Sequence, residues 1–145
     1  MRSRVVFSSA SVDWATPEHI YQRLNEEFCF TMDPCPIGGT EDGLSTLFKP
    51  WCGERVFINP PYGPKIRKWL ERAPEAELAV FLIPARTDTR WFHDLVVPHA
   101  SEIRFIKGRL RFGQAQASAP FASMVVVYAG SQALTGLRIS SMEAG

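Results

Sequence analysis

One tetrapeptide in the sequence combines residues suited to the chemistry of an aromatic amine: Asn59, Pro60, Pro61 and Tyr62. An amino group on an aromatic ring is a poor nucleophile, because its lone pair is delocalised into the ring. Acceptors placed on its two N–H groups favour a pyramidal nitrogen and direct the lone pair outward. The side-chain carbonyl of Asn59 and the backbone carbonyl of the rigid Pro60 are two such acceptors. The motif therefore indicates the activation of a planar amine as a nucleophile.

Tyr62 fits this interpretation because its ring offers a flat face on which an extruded nucleobase can stack. The amine loses its proton only after the transfer, so no strong general base is required, and the motif contains no His or Lys. The alternative is a tight surface turn, because Asn and Pro favour turns and a second proline stiffens one. The position of the motif directly after an apolar segment favours the chemical interpretation.

Three polar residues follow apolar segments of the chain directly. Asp33, Asn59 and Arg86 each come at the end of a segment that is typical of a buried strand. In open sheets of parallel strands, ligands bind beyond the carboxyl ends of the strands. We therefore expect one cleft to collect an acid, an amide and a base.

The elements that would position these residues alternate along the chain. Apolar runs predict strands at 29–32, 55–58, 78–83, 103–106 and 123–128. The first predicted helix starts at Thr16, a hydroxyl N-cap, with Pro17 in the first helical position. The second spans about 65–73. The third follows a cap at Thr87 or Asp88. The alternation predicts an α/β fold with a mainly parallel sheet flanked by helices. We expect one domain over 1–145, with a core of about 14–128 and a peripheral tail at 131–145.

The composition is that of an ordinary globular domain. Of 145 residues, 46% are hydrophobic and 21% charged, which excludes a disordered chain. The net charge of +1 gives no support to a strongly basic nucleic-acid binder. The three cysteines form no Cys-x-x-Cys pair and have no histidine at zinc-finger spacing, which predicts reduced thiols and no metal site. No signal peptide or membrane-spanning run is evident, so a cytoplasmic protein is expected.

Several motifs in one order resemble the phage-type DNA N6-adenine methyltransferase family. The resemblance runs from about residue 14 to 128 and rests on Trp14-Ala15-Thr16-Pro17, Asp33-Pro34-Cys35, Asp42-Gly43-Leu44, the tetrapeptide at 59–62, Pro84-Ala85-Arg86-Thr87-Asp88-Thr89 followed by Trp91-Phe92-His93, and Lys107-Gly108-Arg109-Leu110-Arg111-Phe112. It implies a Rossmann-like methyltransferase sheet, S-adenosylmethionine as cofactor and residues 59–62 as the catalytic motif. Because only about 25 residues separate Asp33 from Asn59, we expect an abbreviated version of this sheet and of its cofactor pocket.

By this resemblance, the candidate cofactor-binding residues are Thr16, Pro17, Asp33, Pro34, Cys35 and Asp42. Asp33 would accept a hydrogen bond from the cationic amino group of the methionine moiety, and its alternative role is a turn or helix cap. Asp42 would reach the ribose hydroxyls, although Glu41-Asp42-Gly43 also reads as an ordinary turn. Thr16 and Pro17 resemble the motif at the methionine end of the cofactor, and helix capping explains them equally well.

The candidate nucleic-acid contacts are Arg86, Arg109, Arg111 and Phe112. Between residues 86 and 113, six Lys and Arg residues stand against three acids, which suits phosphate binding or simply a solvated face. Phe112, by resemblance, would help to stack the target base, whereas a core phenylalanine is the default interpretation.

Together these observations predict methylation of adenine N6 in DNA, with loose sequence specificity. The same motif chemistry would serve cytosine N4, adenine in RNA or a glutamine amide in a protein. A catalytically inactive nucleic-acid-binding module is the alternative of a different class.

Overall fold

The computed structural model describes residues 15–35, 50–113, 118–129 and 136–145. Their helices and strands are, in chain order, helix α1 (Glu18–Phe28), strand β1 (Arg55–Ile58), helix α2 (Ile66–Glu71), a 3-10 turn (Ala73–Glu75), strand β2 (Leu78–Pro84), a π-helical segment (Phe92–Val96), and strands β3 (Glu102–Lys107), β4 (Ser123–Ala129) and β5 (Arg138–Glu143). None of these helices is long and apolar enough to cross a membrane.

The five strands form one sheet in the order β1-β2-β4-β3-β5. Strand β1 pairs in parallel with β2, and β3 pairs in parallel with β5, whereas β4 runs antiparallel to both of its neighbours. The predicted α/β class is confirmed. The predicted mainly parallel sheet is not confirmed, because the sheet is mixed. Parallel neighbours usually need a helical crossover, and the described residues of the connection between β3 and β4 contain no helix.

Two apolar layers cover the sheet. On one face, Ile20 and Leu24 of α1 pack against Phe57 and Leu82. On the other face, α2 and the π-helical segment pack against alternate residues of the same strands, including Ile58, Phe81 and Ile83. All seven residues of β2 are buried because this strand is covered on both faces.

The helix ends differ from the sequence predictions in a way that matters for the site. Pro17 occupies the N-cap position of α1, and no side chain caps the helix, so the predicted hydroxyl cap by Thr16 is wrong. The Thr16 hydroxyl instead accepts a hydrogen bond from a distant side chain. The third predicted helix is a π-helical segment whose N-cap residue, Trp91, makes no side-chain cap, so the predicted cap by Thr87 or Asp88 is wrong. The Thr89 hydroxyl accepts a hydrogen bond from the Phe92 N–H at 3.2 Å.

Two strands also differ from expectation. Of the strand predicted at 29–32, only Met32 pairs, through an isolated parallel bridge to Val56. Strand β5 was not predicted at all. Its Ile139 is 66% exposed and only Met142 is buried, so the segment lacks the apolar alternation that marks a strand.

Candidate active site

The loops that carry the predicted site residues lie at one edge of the sheet. Strands β1 and β2 are parallel, so their carboxyl ends reach the same edge. The bridge between Met32 and Val56 is also parallel and brings Asp33 to that edge. Strand β4 runs in the opposite direction and starts there, and the N–H of Ala85 donates to the Ala122 carbonyl at 2.8 Å. The predicted convergence of Asp33, Asn59 and Arg86 on one sheet edge agrees with this topology.

Asn59 lies directly after β1, and its amide has a defined orientation. The Nδ2 group donates a hydrogen bond to the Thr16 hydroxyl at 3.0 Å. The Oδ1 atom of the same amide is buried. Pro60, which follows, is buried and Pro61 is half-buried. The start of the motif is therefore packed into the protein, unlike an exposed surface turn.

Tyr62 belongs to an aromatic cluster of three rings, together with Phe112 and Phe121. Its ring meets Phe112 edge-on at a centroid distance of 6.0 Å and an interplanar angle of 88°, and Phe121 at 5.5 Å and 76°. Phe112 and Phe121 lie 6.0 Å apart with their planes at 43°. The Tyr62 hydroxyl donates a long hydrogen bond, 3.4 Å, to the Leu82 carbonyl. Burial raises the pKa of Tyr62 far above its ordinary value, so the phenol is neutral.

The two phenylalanines differ in accessibility. Phe112 is fully buried, a position that agrees with the core interpretation of this residue. Phe121 is half-buried and was not identified from the sequence. Its signal in the sequence is its place two residues before β4, and that signal has meaning only if β4 runs antiparallel and begins at the catalytic edge.

The arginines of this edge differ from those elsewhere in the fold. The Arg86 guanidinium lies 5.9 Å from the Phe121 ring centroid, and Arg109 donates to the Ala119 carbonyl at 3.3 Å. Arg86, Arg109 and Arg111 are exposed and form no salt bridge with any residue that the structure describes. Arg104, in contrast, is paired with Glu27 and Glu102. It is therefore a structural cation.

The predicted cofactor residues occupy a partly desolvated part of the same edge. The Asp33 carboxylate accepts a hydrogen bond from the Cys35 N–H at 3.0 Å, so its turn-forming role is real. Partial burial raises the pKa of the Asp33 carboxyl, and the bond from Cys35 opposes this shift, although the residue as a whole keeps an exposed side. Burial raises the pKa of the Cys35 thiol to about 11, and the charge of Asp33 adds to the effect. Pro17 and Pro34 are buried, and Asp42 lies outside the described residues.

A model of one protein family matches this chain. It is described as DNA N-6-adenine-methyltransferase (Dam), and it covers residues 6–130, which include all the motifs discussed above. No match was found among curated proteins or solved structures. Because the family match covers most of the sequence, the resemblance inferred from the motifs is confirmed: the chain belongs to the phage-type DNA N-6-adenine-methyltransferase (Dam) family.

Proposed function

We propose that this protein transfers a methyl group from S-adenosylmethionine to N6 of adenine in DNA, with residues 59–62 as the catalytic site and with loose sequence specificity. The observation that carries the proposal is the oriented amide of Asn59 at the carboxyl end of β1, at the start of the motif that ends with Tyr62. Family membership supports adenine N6 as the acceptor and DNA as the substrate. We also propose that the chain acts as one domain with an abbreviated Rossmann-like sheet, in the cytoplasm of a bacterial or phage-infected cell.

In the proposed mechanism, Asn59 and Pro60 hold the adenine amino group. Because Nδ2 of Asn59 is bonded to Thr16, the oxygen of that amide faces another direction and is the acceptor for one N–H of the substrate. The Pro60 carbonyl is the acceptor for the second N–H. With both protons engaged, the nitrogen lone pair points toward the methyl donor. The Asn59 oxygen is buried, so substrate binding must displace the atoms that cover it.

Tyr62 provides the surface against which the extruded adenine stacks. Phe112 and Phe121 meet its ring edge-on and so hold its plane, which supports a positioning role for these two residues. The Tyr62 phenol has a strongly raised pKa and is unsuited to act as a base. This agrees with a reaction in which water removes the proton from the methylated amine after transfer.

The chemistry of the residues at Asp33 fits the methionine end of S-adenosylmethionine. A carboxylate whose pKa is raised by partial burial gains from a cationic partner, and the amino group of the cofactor is such a partner. We propose that Asp33 holds this group, that Thr16, Pro17, Pro34 and Cys35 line the same end, and that Asp42 reaches the ribose. When bound, the cofactor supplies an electrophilic methyl group.

We propose that Arg86, Arg109 and Arg111 bind the phosphates that flank the extruded base. Their exposure and the lack of salt bridges to described residues support this role, because such cations lose little on binding a phosphate. Arg86 also lies against Phe121, which would place its charge beside the aromatic cluster.

The proposal is tested by incubating the protein with DNA and methyl-labelled S-adenosylmethionine, followed by nucleoside analysis. We expect label only in N6-methyladenine. The Asn59→Ala variant should lose this activity while its cofactor affinity stays within roughly threefold of the wild-type value, because Asn59 is assigned to the target amine. Label in N4-methylcytosine, in RNA alone or in protein would overturn the substrate, and loss of cofactor binding in a folded Asn59→Ala protein would overturn its role.

A further inference from the structure

We propose that Thr16 is a positioning residue that sets the orientation of the catalytic amide of Asn59, an inference that rests on the proposed function. The two residues are 43 positions apart in the sequence, and the Thr16 hydroxyl accepts a hydrogen bond from Asn59 Nδ2 at 3.0 Å. Thr16 does not cap helix α1, whose N-cap position is held by Pro17 without a side-chain cap. The hydroxyl therefore serves the active-site amide instead of the helix.

The orientation of this amide matters because its two ends have opposite hydrogen-bonding roles. The oxygen and the nitrogen of an asparagine side chain have nearly the same size, and rotation about the terminal torsion exchanges them within a broad, roughly two-fold energy profile. If Asn59 presented its NH2 group to the adenine amine, N–H groups would face N–H groups and the acceptor would be lost. In the structure the bond to the Thr16 hydroxyl is made by Nδ2, so Oδ1 is the end of the amide that faces away from Thr16.

The backbone around Thr16 is itself fixed from both sides. On one side, the Ala15 carbonyl accepts a hydrogen bond from the Gly113 N–H at 2.9 Å. On the other side, the buried Pro17 carbonyl accepts the N–H groups of Ile20 and Tyr21, both at 3.1 Å. Thr16 is therefore held between the loop that follows β3 and the first turn of α1, and its hydroxyl has a defined position relative to Asn59.

The test compares Thr16→Val, which keeps the shape and removes the hydroxyl, with Thr16→Ser, which keeps the hydroxyl. We expect the single-turnover rate of methyl transfer to fall roughly tenfold in Thr16→Val, the size that one partly buried hydrogen bond supports, and to stay within about twofold of wild type in Thr16→Ser. The rates are compared at saturating cofactor and DNA, so that a change in cofactor affinity at Thr16, which also lines the proposed cofactor site, does not enter the comparison. A matched control is Thr31→Val, since Thr31 also accepts a hydrogen bond, from the Arg55 N–H at 2.8 Å, but lies outside the site.

A second measurement does not depend on turnover. The side-chain NH2 signals of Asn59 in the NMR spectrum should exchange slowly with solvent in the wild type and in Thr16→Ser, and faster in Thr16→Val. Rapid exchange in the wild type would overturn the inference even if Thr16→Val failed to fold. A Thr16→Val rate equal to the wild-type rate at saturating cofactor would also overturn it and leave Thr16 with the cofactor contact alone. Failure of the wild-type protein to methylate adenine would instead overturn the proposed function.

Discussion

Tyr62 meets its two aromatic neighbours edge-on, and its hydroxyl makes only one long hydrogen bond among those that the structure describes. A bond of 3.4 Å contributes little, because hydrogen bonds weaken beyond about 3.2 Å. We therefore predict that Tyr62→Phe keeps most of the methylation activity. Tyr62→Ala should lose it, because stacking on a base is worth about 1–3 kcal/mol. Steady-state kinetics with a short adenine-containing duplex would measure both effects.

The matched control for the hydroxyl is Tyr128→Phe at the opposite end of β4. Its hydroxyl donates to the Leu95 carbonyl at 2.7 Å, so this change should lower the free energy of unfolding by about 1 kcal/mol without changing activity. Thermal unfolding of Tyr62→Ala is needed as well, because the Tyr62 ring packs against both apolar layers. If Tyr62→Phe were as inactive as Tyr62→Ala while both remained folded, the stacking role would be wrong and the hydroxyl would be essential.

Asp33 is the residue proposed to hold the amino group of the cofactor. Asp33→Asn should weaken cofactor binding more than tenfold, because a hydrogen bond to a charged partner contributes about 1.5–3 kcal/mol. Burial raises the pKa of Asp33. As the pH falls, the carboxylate that the cationic amino group needs is therefore protonated at a higher pH than the ordinary aspartate value of about 3.9. Wild-type cofactor affinity should therefore decrease as the pH drops through this raised pKa, and the Asn variant should show no such decrease. Calorimetry over a pH series measures both. Equal affinity in the two proteins at neutral pH would leave Asp33 with its turn-forming role alone.

At the scale of elements, Arg104 connects α1, β3 and β5. It donates to Glu27 of α1 at 2.7 Å and to Glu102 of its own strand at 3.1 Å, and Glu102 also accepts the Ser140 hydroxyl of β5 at 3.0 Å. The Glu102 side chain is only 8% exposed. The network therefore stabilises the edge of the sheet where β5 has little apolar burial of its own.

We predict that Arg104→Met lowers the free energy of unfolding by about 2–3 kcal/mol, since it leaves the buried Glu102 without its main cation while the Glu27 side is half-exposed and contributes less. The matched control is Arg67→Met, whose partners are exposed, and its cost should stay below about 1 kcal/mol. Urea denaturation of both variants would measure the difference. Similar free energies of unfolding for the two variants would show that the network contributes no more to stability than exposed salt bridges do.

The same network predicts a pH dependence. The hydrogen bond from Arg104 lowers the pKa of Glu27. Burial raises the pKa of Glu102, but the hydrogen bonds from Arg104 and Ser140 outweigh burial, so the pKa of Glu102 is lowered as well. Groups with lowered folded-state pKa values stabilise the protein above the unfolded value, about 4.3 for glutamate, and lose this contribution as the pH falls below it. The stability difference between wild type and Arg104→Met should therefore shrink between about pH 5 and pH 3.

At the scale of the whole molecule, we predict a short or loose recognition sequence. Reading several base pairs requires side chains delivered into the major groove. Arg86, Arg109 and Arg111 lie on loops at the catalytic edge, and arginine contacts to phosphates hold DNA without selecting a sequence. Sequencing of DNA after exhaustive methylation would test this. A strict site of four or more fixed base pairs would reveal a recognition element that the described residues do not contain.

DNA affinity should also fall steeply with salt. Removing one phosphate contact by Arg111→Ala should reduce the slope of log K against log salt by about one. Arg138→Ala should leave the slope unchanged, because Arg138 starts β5, which is parallel to β3, and so lies at the opposite edge of the sheet. Equal slopes in the wild type and Arg111→Ala would exclude Arg111 from the DNA interface.

Local patterns were sufficient for the elements that carry the motif. The bounds of β1, most of β2 and the apolar face of α1 follow from runs and spacings of apolar residues, because burial on both faces or on one face leaves its mark within a few neighbouring positions. The place of Asn59 directly after a strand follows in the same way. These features depend on residues that are close together in the chain.

Contacts between distant segments could not be read in this manner. The reversed β4 brings Phe121 to Tyr62, β5 pairs with β3 despite its weak apolar pattern, and Thr16 bonds to Asn59 although a helix cap was the local expectation. Each outcome depends on which surfaces pack together once the chain has folded, because a hydroxyl or a strand edge bonds to whichever partner the packed core brings within reach. The residues next to it in the sequence do not identify that partner.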